Sequence, residues 1–273
     1  MIPVISAAEL KTIMDIPEVK ILDASYGLPP TPIRIGNAID FNIDDVADPK
    51  AALPHTLPSA EVFSAKVSAL GISNPMRVII YDRSGMAMAA ARAWWMFRIF
   101  GHNQVQVLDG GLPGWMKAGL PVTQQAKVTP KPATYRAMYN PALFKSRQQM
   151  VDNLKSKAFT VLDARDAKRY AGDAPEPRPG VQSGHIPGSL NVPFLSLIDP
   201  ASGLLKSDAK LEEIFKNIDR SKPLAISCGS GVTACVVALG LYQLGKQDAA
   251  IYGGSWTEWG SDATLPKTKG TAP

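Results

Sequence analysis

The chain has 273 residues, of which 45% are hydrophobic and 19% are charged, and this content can bury one large or two smaller cores. A disordered chain and a small disulfide-stabilised fold are therefore excluded, and no apolar run approaches the roughly 20 residues of a membrane helix. The net charge of +5 comes from scattered basic residues, so we expect no nucleic-acid partner and no membrane partner.

The N-terminus and the cysteines bear on location. The first residues lack the basic start and apolar stretch of a secretory signal, so none is expected. Cys228 and Cys235 lie seven residues apart, and a helical rise of about 1.5 Å per residue would separate them by roughly 10 Å. We therefore expect free thiols in a reducing compartment and predict a cytoplasmic location.

The first half of the chain alternates short β-rich runs with helical patterns. Ser6 and Glu9 have the spacing of a capping box, which predicts a helix start. The predicted elements that follow are strand 21–24, helix 59–70, strand 77–81, helix 86–100 and strand 104–108. Gly71 and Gly101 predict the two helix ends, and Asp109-Gly110-Gly111 predicts a turn.

The second half repeats this order. Its predicted elements are helix 146–155, strand 159–163, helix 208–217, strand 223–227, helix 232–244 and strand 248–252. Matching motifs place Asp23 and Asp163 140 residues apart, and Trp115 and Trp259 144 residues apart. This predicts a duplicated α/β domain of about 120 residues with a parallel sheet in each copy.

A segment rich in Pro, Thr and Lys lies between the two copies and is interpreted as a linker. The predicted division of the chain is 1–122, 123–145 and 146–273.

One strand end concentrates the residues with chemical potential. Cys228 ends a predicted strand and runs through the loop 229–233 into a helix. Its two glycines let successive N–H groups point inward, and the helix start adds partial positive charge, so the loop can stabilise a thiolate and an anion formed on it. A buried strand-end cysteine before a simple turn is the alternative. Cys235 falls on the apolar pattern of the helix, which favours core packing.

Longer motifs identify a family. The strings CGSGVTACVVALGLY (228–242) and IYGGSWTEWG (251–260) closely resemble the active-site half of the two-domain rhodanese superfamily, and within it the 3-mercaptopyruvate sulfurtransferases. RAWWMFRIFG (92–101) resembles the first domain, and GHIPGSLNVPF (184–194) the second. The resemblance implies an α/β fold of two tandem rhodanese-like domains, each a mainly parallel sheet flanked by helices.

The resemblance also implies roles for single residues. Cys228 falls on the nucleophile that accepts sulfur as a persulfide. The amides of the following loop would hold that sulfur, and the loop positions concerned are Gly229, Gly231, Val232 and Thr233. Ser230, Asp44 and His55 fall on the residues that complete a catalytic set for handling protons. The first domain has Asp82 in place of the cysteine and is expected to be catalytically silent.

Arg169 and Arg178 fall on two arginines that bind the carboxylate and keto group of the substrate. A planar guanidinium suits this task because it can hold two oxygens at once. Without the family, Arg178 could lie in a solvated loop, and Arg169 could pair with Asp163 or Asp166.

Three other polar residues keep a structural alternative. Asp44 lies in an acidic run that could be a solvated face, and His55 before a turn could be structural. His185 is expected to pack and hydrogen-bond rather than catalyse. The first copy reads RIGNA at 34–38 where the family usually has His-x-Pro-Gly-Ala, which is a departure close to Asp44.

The predicted function is sulfur transfer from 3-mercaptopyruvate through a Cys228 persulfide, with release of pyruvate. The acceptor would be a thiol, such as thioredoxin or a small thiol, or cyanide. No cofactor and no metal are expected, since the histidines and cysteines lack metal-ligand spacing. Thiosulfate sulfurtransferase and a non-enzymatic sulfur-binding module are the alternatives. A related phosphatase needs an arginine six residues after the cysteine, where this chain has Ala234.

Overall fold

The computed structural model describes residues 1–29, 31–124 and 129–273. The chain divides into two compact units. Each unit also includes one short segment from the half of the sequence that forms most of the other unit. Unit 1 consists of Met1–Pro49, Leu57–Asn140 and Asp199–Leu205. Unit 2 consists of Lys50–Thr56, Pro141–Ile198 and Lys206–Pro273.

Unit 1 is built around a five-stranded parallel sheet. The strands of unit 1, including two that lie outside this sheet, are β1 (Val4–Ile5), β2 (Val19–Asp23), β3 (Ile33–Arg34), β4 (Ile39–Asp40), β5 (Arg77–Tyr81), β6 (Val105–Leu108) and β7 (Thr123–Gln124). Its helices are α1 (Ala7–Ile13), α2 (Ile43–Val46), α3 (Ala60–Ala69), α4 (Met88–Ile99) and α5 (Gly111–Lys117). The parallel sheet has the order β1-β6-β5-β2-β4, and β3 and β7 form a separate antiparallel pair.

Unit 2 contains a second parallel sheet of five strands. Its strands are β8 (Phe144–Lys145), β9 (Thr160–Asp163), β10 (Leu190–Asn191), β11 (Leu224–Ser227) and β12 (Ala250–Tyr252). Its α-helices are α6 (Arg147–Ser156), α7 (Ala167–Ala171), α8 (Asp208–Phe215), α9 (Ala234–Gln243) and α10 (Ser255–Ser261). Two 3₁₀ turns span Pro141–Leu143 and Phe194–Leu197.

The order of the second sheet, β8-β12-β11-β9-β10, repeats that of the first. The hydrogen bonds at the strand ends repeat as well. The amide of Ala24 donates to Tyr81 O at 2.9 Å, and the amide of Ala164 donates to Ser227 O at 2.8 Å. The predicted duplicated α/β fold with a parallel sheet in each copy is therefore confirmed.

Local sequence signals account for several element boundaries. Ser6 caps α1 and forms the predicted capping box with Glu9. Helix α4 begins at Met88 rather than at residue 86, because Ala87 adopts a left-handed φ of 54°. The predicted turn after β6 leads directly into α5, which begins at Gly111.

The segment interpreted as a linker makes specific contacts within unit 1. The amide of Tyr135 donates to Ser68 Oγ at 3.0 Å, and the amide of Ala137 donates to Ser64 Oγ at 2.9 Å. The Tyr135 ring is buried and meets Phe63 edge-on. Residues 125–128 of the predicted linker lie outside the described residues. Unit 1 thus runs past the predicted end at 122 to Asn140, and the division 1–122, 123–145 and 146–273 stays a prediction.

The cores are rich in tryptophan, and all five tryptophans are buried. Two of them occupy matching places in the two copies. Trp115 Nε1 donates to Pro121 O at 2.9 Å, and Trp259 Nε1 donates to Pro266 O at 2.8 Å, so both of these indole N–H groups have a partner. Among the described residues, none of the helices has both the length and the apolar character needed to cross a membrane.

Candidate active site

Cys228 lies immediately after the carboxyl end of β11 and is only 1% exposed. Its backbone is fixed from both sides by helix α10. The Cys228 amide donates to Ser255 Oγ at 3.2 Å, and the amide of Trp256 donates to Cys228 O at 2.9 Å. The carbonyl of Gly229 accepts from the amide and the hydroxyl of Thr257 at 2.9 and 2.6 Å. These bonds hold the start of the loop rigidly against unit 2.

The sulfur of Cys228 is bound by the loop that follows it. The Gly231 amide donates to Cys228 Sγ at 3.1 Å, from a residue with a left-handed φ of 81° that favours glycine. The carbonyl of Gly231 accepts from Cys235 Sγ at 3.3 Å. Both cysteines are free and buried, and Cys235 lies in α9 among core side chains.

The other loop amides have no acceptor within the described ranges. These are the N–H groups of Gly229, Ser230, Val232 and Thr233. Ser230 and Val232 are buried, whereas Gly229 and Thr233 are half-buried. Because buried N–H groups are almost always paired in folded proteins, these unpaired donors beside a thiol could bind an anion during the reaction. The binding of sulfur by this loop stays a prediction.

Both predicted arginines lie beside this loop. A Cβ added at Gly229 would lie 3.3 Å from Nη2 of Arg169 and 3.9 Å from Nη1 of Arg178. Arg169 belongs to α7, and Arg178 lies in the loop after it. In the described chain the side chain of Arg178 makes no ion pair or hydrogen bond, so its guanidinium is free to bind an anion.

Arg169 pairs with Glu176, and not with Asp163 or Asp166 as the structural alternative supposed. Its Nη2 lies 2.6 Å from Glu176 Oε2. Asp166 instead caps α7, where its carboxylate accepts from the Arg169 amide at 3.0 Å. Asp163 pairs with Arg165 at 2.6 Å.

Arg165 was not among the predicted residues, although it follows Asp163 by two positions in the segment VLDAR (161–165), whose counterpart in the first copy reads ILDAS (21–25). Its side chain is buried between Asp163 and Glu176, and its guanidinium lies 4.4 Å above the Trp256 ring. Burial by itself would lower the pKa of Arg165, but the attraction of Asp163 and the bonds to both carboxylates outweigh it and raise the pKa. Arg165 therefore stays charged inside the protein. A strand-end aspartate followed two residues later by an arginine was the available signal.

The remaining predicted catalytic residues are distributed between the two units. Ser230 is buried in the loop of unit 2. His55 belongs to the Lys50–Thr56 segment of unit 2 and is half-buried, with a left-handed φ of 56°. Asp44 belongs to unit 1, on the exposed side of α2, and its amide donates to Asn42 Oδ1 at 2.9 Å. The structure thus brings Cys228, Arg169 and Arg178 close together. The roles of these residues, and those of Ser230, His55 and Asp44, stay predictions.

His185 packs in the interior, as expected. Its ring stacks on Tyr170 with 3.8 Å between centroids, and Nδ1 lies 2.9 Å from Tyr170 O. In the ranges that the structure describes, no three His, Cys, Asp or Glu residues are grouped so that they could hold a metal ion.

The corresponding loop of unit 1 is occupied by its own side chain. Asp82 follows β5 and is buried, and its carboxylate accepts from the amide and hydroxyl of Ser84 at 3.0 and 2.6 Å and from the amide of Ala90 at 3.1 Å. The amide of Leu112 donates to Asp82 O at 3.0 Å, in the same way that Trp256 donates to Cys228 O. The backbone arrangement of the two loops is thus similar, but in unit 1 the Asp82 carboxylate accepts from the loop and helix donors.

Comparison with known proteins gives consistent matches along the chain. The family model for the rhodanese-like domain matches residues 6–118 and 146–262. Human 3-mercaptopyruvate sulfurtransferase is 43% identical over 88% of this chain and 84% of its own length. Thiosulfate/3-mercaptopyruvate sulfurtransferase 1, a mitochondrial protein of Arabidopsis thaliana, is 41% identical over 97% of this chain and 77% of its own. The crystal structure of the 3-mercaptopyruvate sulfotransferase SseA from Escherichia coli superposes with a TM-score of 0.83 at 33% identity, covering 94% of this chain and 99% of SseA.

Proposed function

Because this chain belongs to the rhodanese family and is a sulfurtransferase, we propose that it moves sulfur from 3-mercaptopyruvate to a thiol or cyanide acceptor through a persulfide on Cys228. One observation carries the choice of site. Two guanidinium groups lie beside Gly229, the residue next to a cysteine whose sulfur is already bound by a loop amide. A substrate with a carboxylate next to a keto group and a thiol matches this combination.

The first half-reaction follows from this arrangement. The Cys228 thiolate attacks the sulfur of 3-mercaptopyruvate and forms an S–S bond, while the C–S bond of the substrate breaks. The bonding pair leaves with the carbon as the enolate of pyruvate, which then takes up a proton. Arg169 and Arg178 would hold the carboxylate and the keto oxygen, and positive charge near that oxygen stabilises the enolate.

The second half-reaction returns the cysteine. An acceptor thiolate attacks the outer sulfur of the persulfide and forms a new S–S bond, and Cys228 leaves as a thiolate. With cyanide the product is thiocyanate. The free amides of the loop would bind the negative sulfur between the two steps. Two half-reactions through a covalent intermediate predict ping-pong kinetics.

Proton handling is assigned to Ser230, Asp44 and His55. The thiol of the substrate carries a proton that must leave during transfer, and a hydroxyl beside the loop could relay it. Asp44 and His55 would complete that set. Thioredoxin or a small thiol is the proposed cellular acceptor, and the cytoplasm is the proposed location. The Arabidopsis relative is mitochondrial.

Thiosulfate is the competing donor, because the Arabidopsis relative is named for both substrates. Gly229 and Ser230 are neutral, whereas a doubly charged donor would favour basic residues in the loop. We therefore expect kcat/KM for 3-mercaptopyruvate to exceed that for thiosulfate. A clear preference for thiosulfate would contradict the choice of donor while leaving the persulfide intact.

Intact mass measurement tests the intermediate. After incubation with 3-mercaptopyruvate and without acceptor, the wild-type chain should gain one sulfur atom, and pyruvate should be released in equal amount. Cys228→Ser should gain none, while the control Cys235→Ser, which keeps a hydrogen-bond donor at that position, should gain it like the wild type. Wild-type chain that gains no sulfur from either donor would support the non-enzymatic alternative.

A further inference from the structure

The carboxylate of Glu176 links two arginines in the interior of unit 2. Its side chain is only 3% exposed. Oε1 accepts from Nη1 of Arg165 at 2.8 Å and from Nε of Arg169 at 3.2 Å, and Oε2 accepts from Nη2 of Arg169 at 2.6 Å. Both oxygens are therefore committed to guanidinium groups.

One of these arginines is firmly anchored. Arg165 Nη2 donates to Asp163 Oδ2 at 2.6 Å and to Gly184 O at 2.8 Å, and its Nε lies 3.1 Å from both Asp163 oxygens. The guanidinium also covers the ring of Trp256, whose amide donates to the Cys228 carbonyl. Glu176 is thus connected to the same rigid frame that fixes the backbone of the nucleophile.

The other arginine, Arg169, depends on Glu176 for its orientation. The side chain of Arg169 is 24% exposed, and an arginine in that setting would sample many rotamers without a partner. The bonds from Nε and Nη2 to Glu176 select one orientation and place Nη2 beside Gly229. In the part of the chain that the structure describes, Nη1 of Arg169 donates to no protein group and is left for a ligand.

We propose that Glu176 is a positioning residue, which acts through Arg169 to orient the donor substrate at Cys228. This inference rests on the proposed function. It also divides the work of the two site arginines. Asp163 balances the charge of Arg165, and Glu176 balances that of Arg169. Arg169 therefore contributes mainly by orienting the donor substrate. Arg178, which has no ion-pair partner among the described residues, supplies the uncompensated charge.

Ping-pong kinetics separate this role from general damage to the site. In such a scheme kcat/KM for the donor reports the first half-reaction, and kcat/KM for the acceptor reports the second. In Glu176→Gln the amide keeps the size of the side chain but turns an N–H group toward Arg169. We expect kcat/KM for 3-mercaptopyruvate to fall about 10- to 100-fold, as for a misplaced binding group, and kcat/KM for the acceptor thiol to change less than about twofold.

The matched control is Glu212→Gln. It removes the same charge from an exposed ion pair with Arg220 on the surface of unit 2, and it should leave both values unchanged. An equal fall of both kcat/KM values in Glu176→Gln would show general disruption and overturn the proposal.

A double-mutant cycle tests the path through Arg169. If Glu176 acts only through that residue, Glu176→Gln should have no further effect on donor kcat/KM in an Arg169→Ala background. Additive losses would overturn the proposal.

Folding is controlled with Glu176→Asp, because breaking a buried ion pair can be strongly destabilising. Aspartate keeps the charge, but its shorter side chain cannot bridge both arginines. It should show the same selective loss with a native unfolding transition. If neither variant folds, Glu176 is a structural residue and the proposal fails. Wild-type chain that does not use 3-mercaptopyruvate overturns the proposed function, whereas an active wild type with an equally active Glu176→Gln overturns this inference alone.

Discussion

The amide nitrogen of Gly231 lies 3.1 Å from the sulfur of Cys228. That contact depends on a backbone conformation with φ of 81°, which places the N–H group toward the thiol. The carbonyl of the same residue accepts from Cys235, so the Gly231 peptide groups are held on both sides. A small change in this one residue should therefore affect sulfur chemistry directly.

Gly231→Ala should slow persulfide formation about tenfold, because a Cβ disfavours the left-handed conformation by roughly 1–2 kcal/mol and moves the amide from the sulfur. Single-turnover pyruvate release with 3-mercaptopyruvate measures the step. Gly245→Ala is the matched control. Gly245 also has a positive φ, of 87°, and a Cβ there would meet open space, so this variant carries similar strain away from the sulfur. Equal slowing in both variants would contradict a role for the Gly231 amide.

Gly229→Ala should reduce donor kcat/KM roughly tenfold with little change in Tm. The new Cβ would lie 3.3 Å from Nη2 of Arg169, which Glu176 prevents from moving freely. Steady-state kinetics with varied 3-mercaptopyruvate measure the loss. In an Arg169→Ala background the same substitution should cost much less. A loss that persists there would mean that Gly229 serves the loop and not the arginine.

Arg178→Ala should lower kcat/KM for 3-mercaptopyruvate about 100-fold, whereas Arg178→Lys should lower it about tenfold. Lysine restores the charge but not the planar pair of donors that suits a carboxylate. Initial rates with 3-mercaptopyruvate for both variants give the comparison. Unchanged kinetics in Arg178→Ala would show that this side chain does not contact the donor.

His102 should make unit 1 sensitive to acid. Burial lowers the pKa of His102 below its ordinary value of 6.5, so the unfolded chain takes up a proton before the folded chain does. This contribution to stability is intact above the ordinary pKa and is lost as the pH falls from there toward the lowered value. The Tm of the wild type should therefore fall more steeply than that of His102→Phe between about pH 7 and pH 5. Parallel curves in thermal unfolding would contradict this.

The sequence was most informative where patterns were long or repeated. The apolar strand at 77–81 coincides with β5, and the repeated order of strands and helices correctly predicted two parallel sheets. Short elements such as α2 and α7 span four and five residues, too few for a helical period to be visible. The segment interpreted as a linker contains Tyr135, and only its burial against Phe63 shows that residues there belong to a core.

For the site, the sequence pattern indicated Cys228 and its loop, the family resemblance implied both arginines, and the structure brings these residues together in unit 2. It could not indicate the partner of Arg169. Asp163 and Asp166 are closer along the chain than a residue beyond the end of α7. Glu176 becomes the partner because the left-handed Gly172 ends that helix and the chain turns back. Which carboxylate pairs with Arg169 therefore depends on the path of the chain after α7, and the spacing of charges along the sequence does not show that path.

The carboxylate of Asp82 has a consequence for the redesign of unit 1. This carboxylate accepts from Ser84 and Ala90, and so takes the place of the external anion that an unoccupied loop would bind. The turn of unit 1 therefore keeps its hydrogen bonds without an external anion. Replacing Asp82 with cysteine would leave the donors of Ser84 and Ala90 without their acceptor, so building a sulfur-binding loop into unit 1 would require exchange of the whole turn.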